Sequence, residues 1–253
     1  MKKLIAILTA LGLICSQAQS ASIITRGANS AYAYGFMKNK PGGAPVLQYV
    51  NNGGIGCTPS SSYTPGMPSS VSIGDLLILQ VEVGLSSAIV PTPSGWTAIL
   101  NKYNAAKTNS FAVFYQVYAG GGAPSVTGGT HIAATISRYT GANTTTPIGA
   151  VGTYSSGSTT TVTTTALTTT ANNSLVGLAF LAPNIIGAAY TTPSTWTSAF
   201  DLWAGTCNSE LAVVTKSVAT SGTSSGSTSS TDSNIYTLAG FAWFAIQFEI
   251  LHR

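Results

Sequence analysis

The chain has 253 residues, of which 6% are charged and 44% hydrophobic, with a formal net charge of +4. That length allows one large β domain or two small ones, each able to bury a core, and β-branched and aromatic residues recur throughout, which excludes a disordered chain. Without Lys2 and Lys3 the formal charge falls from +4 to +2 and no basic run remains, so a phosphate-tracking nucleic-acid surface is not expected.

Met1–Ser20 reads as a signal peptide: Lys2 and Lys3, then the apolar run Leu4–Ile14, then Ala18-Gln19-Ser20 with small residues at −3 and −1. Cleavage is expected before Ala21, which places the mature protein outside the cytoplasm, secreted or at the cell surface. The bulky Ile14 before Cys15 argues against a lipoprotein. No later stretch is long and apolar enough for a membrane span. Cys57 and Cys207 are then the remaining cysteines. In an oxidising compartment the expected outcome is a disulfide between them, with two buried thiols as the alternative. A zinc site is disfavoured because no zinc-ligand spacing is present.

Residues 21–70 open with short strands: Ser22–Thr25, then Tyr32, Tyr34 and Phe36 alternating with small residues, then Val46–Val50. Asn51–Ser70 reads as a long Gly/Pro/Ser loop pinned by Cys57, and the whole 21–70 segment as packed on, or extending from, a sandwich formed by residues 71–253.

Residues 71–253 carry a repeat. The first half, 71–150, begins with Gly74–Leu100: a strand in which Leu77, Leu79, Val81 and Val83 alternate with Ile78, Gln80 and Glu82, then a Pro/Ser/Gly turn delivering Trp96. The alternation predicts one buried face and one more polar face, with Gln80 and Glu82 pointing outward. Strands at Phe111–Tyr118 and His131–Tyr139 come next, separated by the glycine-rich Gly120–Gly129. The threonine-rich Tyr154–Asn173 predicts one or two edge strands, against a flexible spacer. The second half, 154–253, repeats the pattern: Leu175 stands about as far before Trp196 as Leu76 before Trp96, Leu211–Val218 matches Phe111–Tyr118, and Phe241–Leu251 matches Ile132–Tyr139. The expected fold is all-β: a two-sheet, jelly-roll-like sandwich of two pseudo-repeated Greek-key halves, each half giving strands to both sheets.

Gly74-Asp75-Leu76-Leu77, Pro93–Thr97, Phe111–Val117 and Ile136–Gly141 resemble the motifs of a group of β-sandwich modules found in phage-tail or virion-associated proteins and in secreted bacterial proteins. The resemblance spans about Ser72–Ile250. It implies a β-sandwich and brings no catalytic residues. The signal peptide departs from a virion protein and favours a secreted one.

The chemistry-bearing residues are few. Of the six carboxylates, Glu82 and Glu249 sit mid-strand and would have to meet on one sheet to serve a carbohydrate-active enzyme; two solvated charges on separate strands are the simpler reading. Asp75 reads as a turn residue bonding its own backbone. His131 and His252 lack a nucleophile elbow, and no cofactor fingerprint is present, so no cofactor and no metal are expected. The triplets of threonine lack the regular rows of an ice-binding surface. Trp96 and Trp196, at equivalent places, are expected to cap the core. Tyr103 and Trp203, in loops after them, are expected to make exposed contacts, with Gln80 and Glu82 as further binding candidates. The functional expectation is a non-enzymatic structural or binding protein whose partner is itself, a surface glycan or another protein, with a carbohydrate-active enzyme or a monomeric glycan-binding module as alternatives.

Overall fold

The computed structural model describes residues 47–105, 108–152, 161–163, 167–169, 174–183, 192, 194–204, 209–220, 222–224, 227–229 and 243–246. Among them there is no helix, and every sheet is antiparallel. The expected signal peptide, the strands expected before residue 47, Cys207 and Glu249 lie outside the described residues.

The strands of the first half are β1 (Gln48–Asn52), β2 (Gly56–Thr58), β3 (Ser62–Tyr63), β4 (Leu76–Gly84), β5 (Thr97–Asn104), β6 (Asn109–Val117), β7 (Val126–Thr127) and β8 (His131–Thr140). They form a sheet in the order β1-β8-β4-β6-β5, with β2 also on β8 and with β3 and β7 paired apart. The second half gives β9 (Ile148–Val151), β10 (Thr161–Thr163), β11 (Leu167–Thr168), β12 (Ser174–Pro183), β13 (Thr197–Ala204), β14 (Ser209–Val218), β15 (Thr223–Ser224), β16 (Ser227–Ser229) and β17 (Trp243–Ile246). Its sheet runs β9-β17-β12-β14-β13, the same order strand for strand. The threonine-rich stretch supplies β10 and β11, paired with β16 and β15.

The repeat holds in register. Leu76 faces Val117 and Leu175 faces Ser217; Thr97 faces Tyr115 and Thr197 faces Thr215. Both edge pairs carry a bulge at the same place, between Ala98 and Leu100 and between Ser198 and Phe200. A third irregularity recurs between Tyr49 and Asn51 in β1, and in the β17–β9 pair.

Two expectations are corrected by this topology. As folded, the halves divide between Thr140 and Ile148 rather than at 150–154, and β1 and β2 of the 21–70 segment belong to the first; among the described residues each sheet is built by one such half, and no described strand of 48–140 enters the second sheet. Neighbouring segments pair with each other before distant ones, so the described strands do not interleave between the halves as those of a jelly roll would. Nor is the strand order a simple Greek key. The strand that returns beside β4 is β8, but β6 lies between β4 and β5.

That order explains the loops. β4 and β5 both run antiparallel to β6, so residues 85–96 must cross the sheet from one end to the other. Residues 118–130, between β6 and β8, cross in the same way. The crossing segments bring Val90, Trp96 and Val126 onto Leu77, Leu79 and Phe114, with Tyr63 and Met67 added from the segment that precedes β4. The opposite face of the same sheet packs Leu76, Ile78, Phe111 and Val113 against Leu175, Phe200, Leu211 and Val213 of the second sheet. The expectation that β4 has one polar face is therefore wrong: it is buried on both faces along all but its last residue. Leu76, Leu77, Ile78 and Leu79 are fully buried, each contributing about 1.5–3 kcal/mol. Trp96 and Trp196 are buried to the same degree, 8% exposed, as their equivalence predicted.

The stretch expected to be one long loop after Asn51 instead carries β2 and β3. Gly53 makes it compact, for its backbone lies against the carbonyl of Gly66 with no room for a side chain. Cys57 sits half-buried in β2 and carries no free thiol. Its expected partner, Cys207, is outside the described residues.

Candidate functional site

The polar side chains singled out in the sequence gather in two places. The first is where the chain enters β4. Asp75 accepts the backbone N–H of Ser72 at 2.7 Å, as expected of a turn residue. It also accepts Nε of Arg138 from β8 at 2.7 Å, with both side chains nearly buried. Arg138 extends Nη1 to the Ser69 carbonyl at 3.4 Å. Tyr118 N donates to the Asp75 carbonyl and Gly74 N to the Tyr118 carbonyl, so one node ties together the start of β4, the end of β6 and the middle of β8. The Gly-Asp-Leu-Leu and Ile-Ser-Arg-Tyr motifs thus meet as the two ends of one ion pair, which the sequence reading missed. Residues two-thirds of a half apart, on strands with no sequence link between them, offered no local signal for it.

The second place lies between the sheets. Glu82 is 2% exposed and Gln80 is fully buried, so the outward placement expected for them is corrected. Pleating puts them on the same face as Leu76 and Ile78, and the second sheet covers that face. Ser209 of β14 donates its hydroxyl to Glu82 Oε2 at 2.8 Å, and Asn109 of β6 also hydrogen-bonds this carboxyl. Gln80 Nε2 reaches the Ala212 carbonyl across the interface at 3.4 Å. Burial pushes the Glu82 carboxyl up to about 7 against the opposing pull of the Ser209 and Asn109 hydrogen bonds. Gln80 Oε1, Asn109 Oδ1 and Thr135 Oγ1 are buried here without a hydrogen-bond partner.

A signal for this burial was present. By register Glu82 corresponds to Leu181 and Gln80 to Ala179, both apolar.

Tyr103 and Trp203 are corrected from loop to strand. They occupy the same position near the ends of β5 and β13, the terminal strands of the two sheets, opposite Ser110 and Glu210. Tyr103 is half-buried. The structure does not bring these two aromatic positions and the Gln80–Glu82 pair into one site: the former are at sheet edges and the latter in the interior. Among the described residues no three His, Cys, Asp or Glu side chains come together as a metal site. No described helix is long and apolar enough to cross a membrane. No protein-family model matches the chain, and no curated protein and no solved structure is similar to it.

Proposed function

We propose that this is a secreted, non-enzymatic structural or binding protein: a two-sheet sandwich, one sheet per half, that works as a surface, appendage or virion-like component through its strand edges. The observation that carries the reading is where the carboxylates go. Asp75 is held by Arg138 and Ser72, and Glu82 is sealed between the sheets, so neither is presented to a substrate. The carbohydrate-active alternative needs Glu82 on an accessible face. The terminal strands β5 and β13 support contacts at the edges, because a terminal strand is where strand addition occurs. The pairing of Asp75 with Arg138 gives the Gly-Asp-Leu-Leu and Ile-Ser-Arg-Tyr motifs a structural role in this chain.

Light scattering and electron microscopy on the mature protein, secreted through a bacterial periplasm, test the reading. Regular assemblies or filaments make it a structural subunit. A monomer that binds arrayed glycans, with binding lost in Tyr103→Ala and Trp203→Ala, makes it a glycan-binding module. Turnover of a polysaccharide that Glu82→Gln abolishes refutes it.

A further inference from the structure

The interface between the two sheets changes character along β4. It is apolar at Leu76 and Ile78 and polar at Gln80 and Glu82. Around the polar end stand Asn109 from β6, Thr135 from β8 directly opposite Gln80, and Ser209 from β14, all buried. Counting donors and acceptors there gives an imbalance. Gln80 Oε1 and Asn109 Oδ1 are two acceptors that no donor reaches, the Thr135 hydroxyl opposite Gln80 is a single unused donor, and an ionised Glu82 adds acceptor capacity only. A neutral carboxyl adds an O–H donor to a cluster short of donors.

Among the described residues no charged partner compensates an ionised Glu82. Within the first sheet, Lys102 of β5 shares its face beyond Phe111 but lies two strands away, about 10 Å, with its side chain exposed. His131 of β8 is nearer: its Cβ and Glu82 Oε1 both border the space over Gly84. It is half-buried, and its Nδ1 is engaged with Thr130 Oγ1 at 3.2 Å. From the second sheet the hydroxyl of Ser209 faces Glu82, with Glu210 next in sequence and the exposed Asp201 on β13 opposite Ala212.

We propose that Glu82 is a pH-sensitive joint between the sheets: it is held there as a neutral acid against Ser209, and its ionisation buries a charge that no described counter-ion compensates, which loosens the hold of the second sheet on the first. The direction follows from burial. The folded protein keeps this proton up to about pH 7, whereas the unfolded chain releases it in the ordinary glutamate range. Stability is therefore full below that range. It falls as pH rises toward 7 and stays at a lower, constant level above. The folding equilibrium constant drops on the order of 10²-fold over that interval.

The experiment is a carboxyl ¹³C NMR titration of the glutamate-labelled mature protein, paired with urea unfolding between pH 4.5 and 8.5. The sequence holds three glutamates, Glu82, Glu210 and Glu249, and the resonance absent in Glu82→Gln is Glu82. A titration midpoint near 7, with the fall in folding constant flattened in Glu82→Gln, is the expected result. A midpoint in the ordinary carboxylate range overturns the proposal. So does a pH dependence that persists in Glu82→Gln, which would belong to another group. Should Glu82→Gln fail to fold, Ser209→Ala decides. It removes a hydrogen bond that favours the ionised form, so the high midpoint moves higher still, and a midpoint that stays put overturns the link between the sheets.

Discussion

The ion pair between Asp75 and Arg138 should be worth more than a surface salt bridge, and the second half of the chain supplies the control. The side chains of the pair are 11% and 13% exposed, and Nε stands 2.7 Å from the carboxylate. Arg138→Ala leaves that carboxylate nearly buried with the backbone N–H of Ser72 as the remaining donor to it. A fully buried orphaned charge costs 3–5 kcal/mol, so residual solvent access brings the expected loss to about 2–4 kcal/mol. Asp75→Ser should cost about 2 kcal/mol, since Arg138 keeps its reach to the Ser69 carbonyl and to water. The equivalent positions in the second half are Ser174, just before Leu175, and Ala245, opposite Val176. The double variant Asp75→Ser/Arg138→Ala therefore installs a combination this backbone already accommodates, and its loss should be about 1–3 kcal/mol smaller than the sum of the singles. Urea unfolding of the four proteins gives the coupling from the shift in midpoint at constant slope. A coupling under about 0.5 kcal/mol would refute the reasoning and reduce the contact to an ordinary exposed pair.

Other consequences are sharper in sign than in size. The turn before each tryptophan has a residue at positive φ, Gly95 at 79° and Thr195 at 69°. Thr195→Gly should raise stability by about 0.5–1 kcal/mol, because a β-branched residue is strained there, and Gly95→Ala should lower it by about 1–2 kcal/mol; thermal melts compare the two. Gly53→Ala forces a side chain onto the Gly66 carbonyl, so the segment around β2 should lose hydrogen-exchange protection before β4 and β6 do. Unreduced peptide mapping should return Cys57 and Cys207 on one linked fragment, and Cys57→Ser should cost roughly 4–5 kcal/mol; two separate thiol peptides would refute the bridge.

The repeat was legible because strand formation leaves a local trace. Leu76 and Leu175, Trp96 and Trp196, and Phe111 and Leu211 recur at matching spacings, and the registers preserve each of those equivalences. Which strands pair left no such trace. Leu77 faces Arg138 and Gln116 through contacts between distant segments that no window of sequence contains. The faces of β4 were misread for the same reason. Alternation reports burial only when one side meets water, and here Val90, Trp96 and Val126 cross over the side opposite the second sheet. Tyr103 and Trp203, expected in loops after the tryptophans, fall instead at equivalent positions near the ends of strands whose bulges could not be counted in advance.

The comparison between halves separates what the fold requires from what it merely tolerates. Both sheets keep the same order and bulges, so a residue that differs at an equivalent position is not dictated by the backbone. Ala179 and Leu181 are the register counterparts of Gln80 and Glu82 in the second half, and Ser209 stands where the first half has Asn109, yet both of these bond the same carboxylate. Packing alone would favour leucine at position 82, because a buried carboxyl carries a desolvation penalty that a methyl group does not. The two polar groups that converge on Glu82, one from each half, make the arrangement a joint rather than an isolated fault in the core. A Glu82→Leu variant that copies the second half should then be more stable at pH 8 than the natural protein while losing the pH dependence of its unfolding. If instead it destabilises the protein at every pH, the carboxyl is filling a polar space that the first half needs, and the equivalence of positions 82 and 181 ends at the backbone.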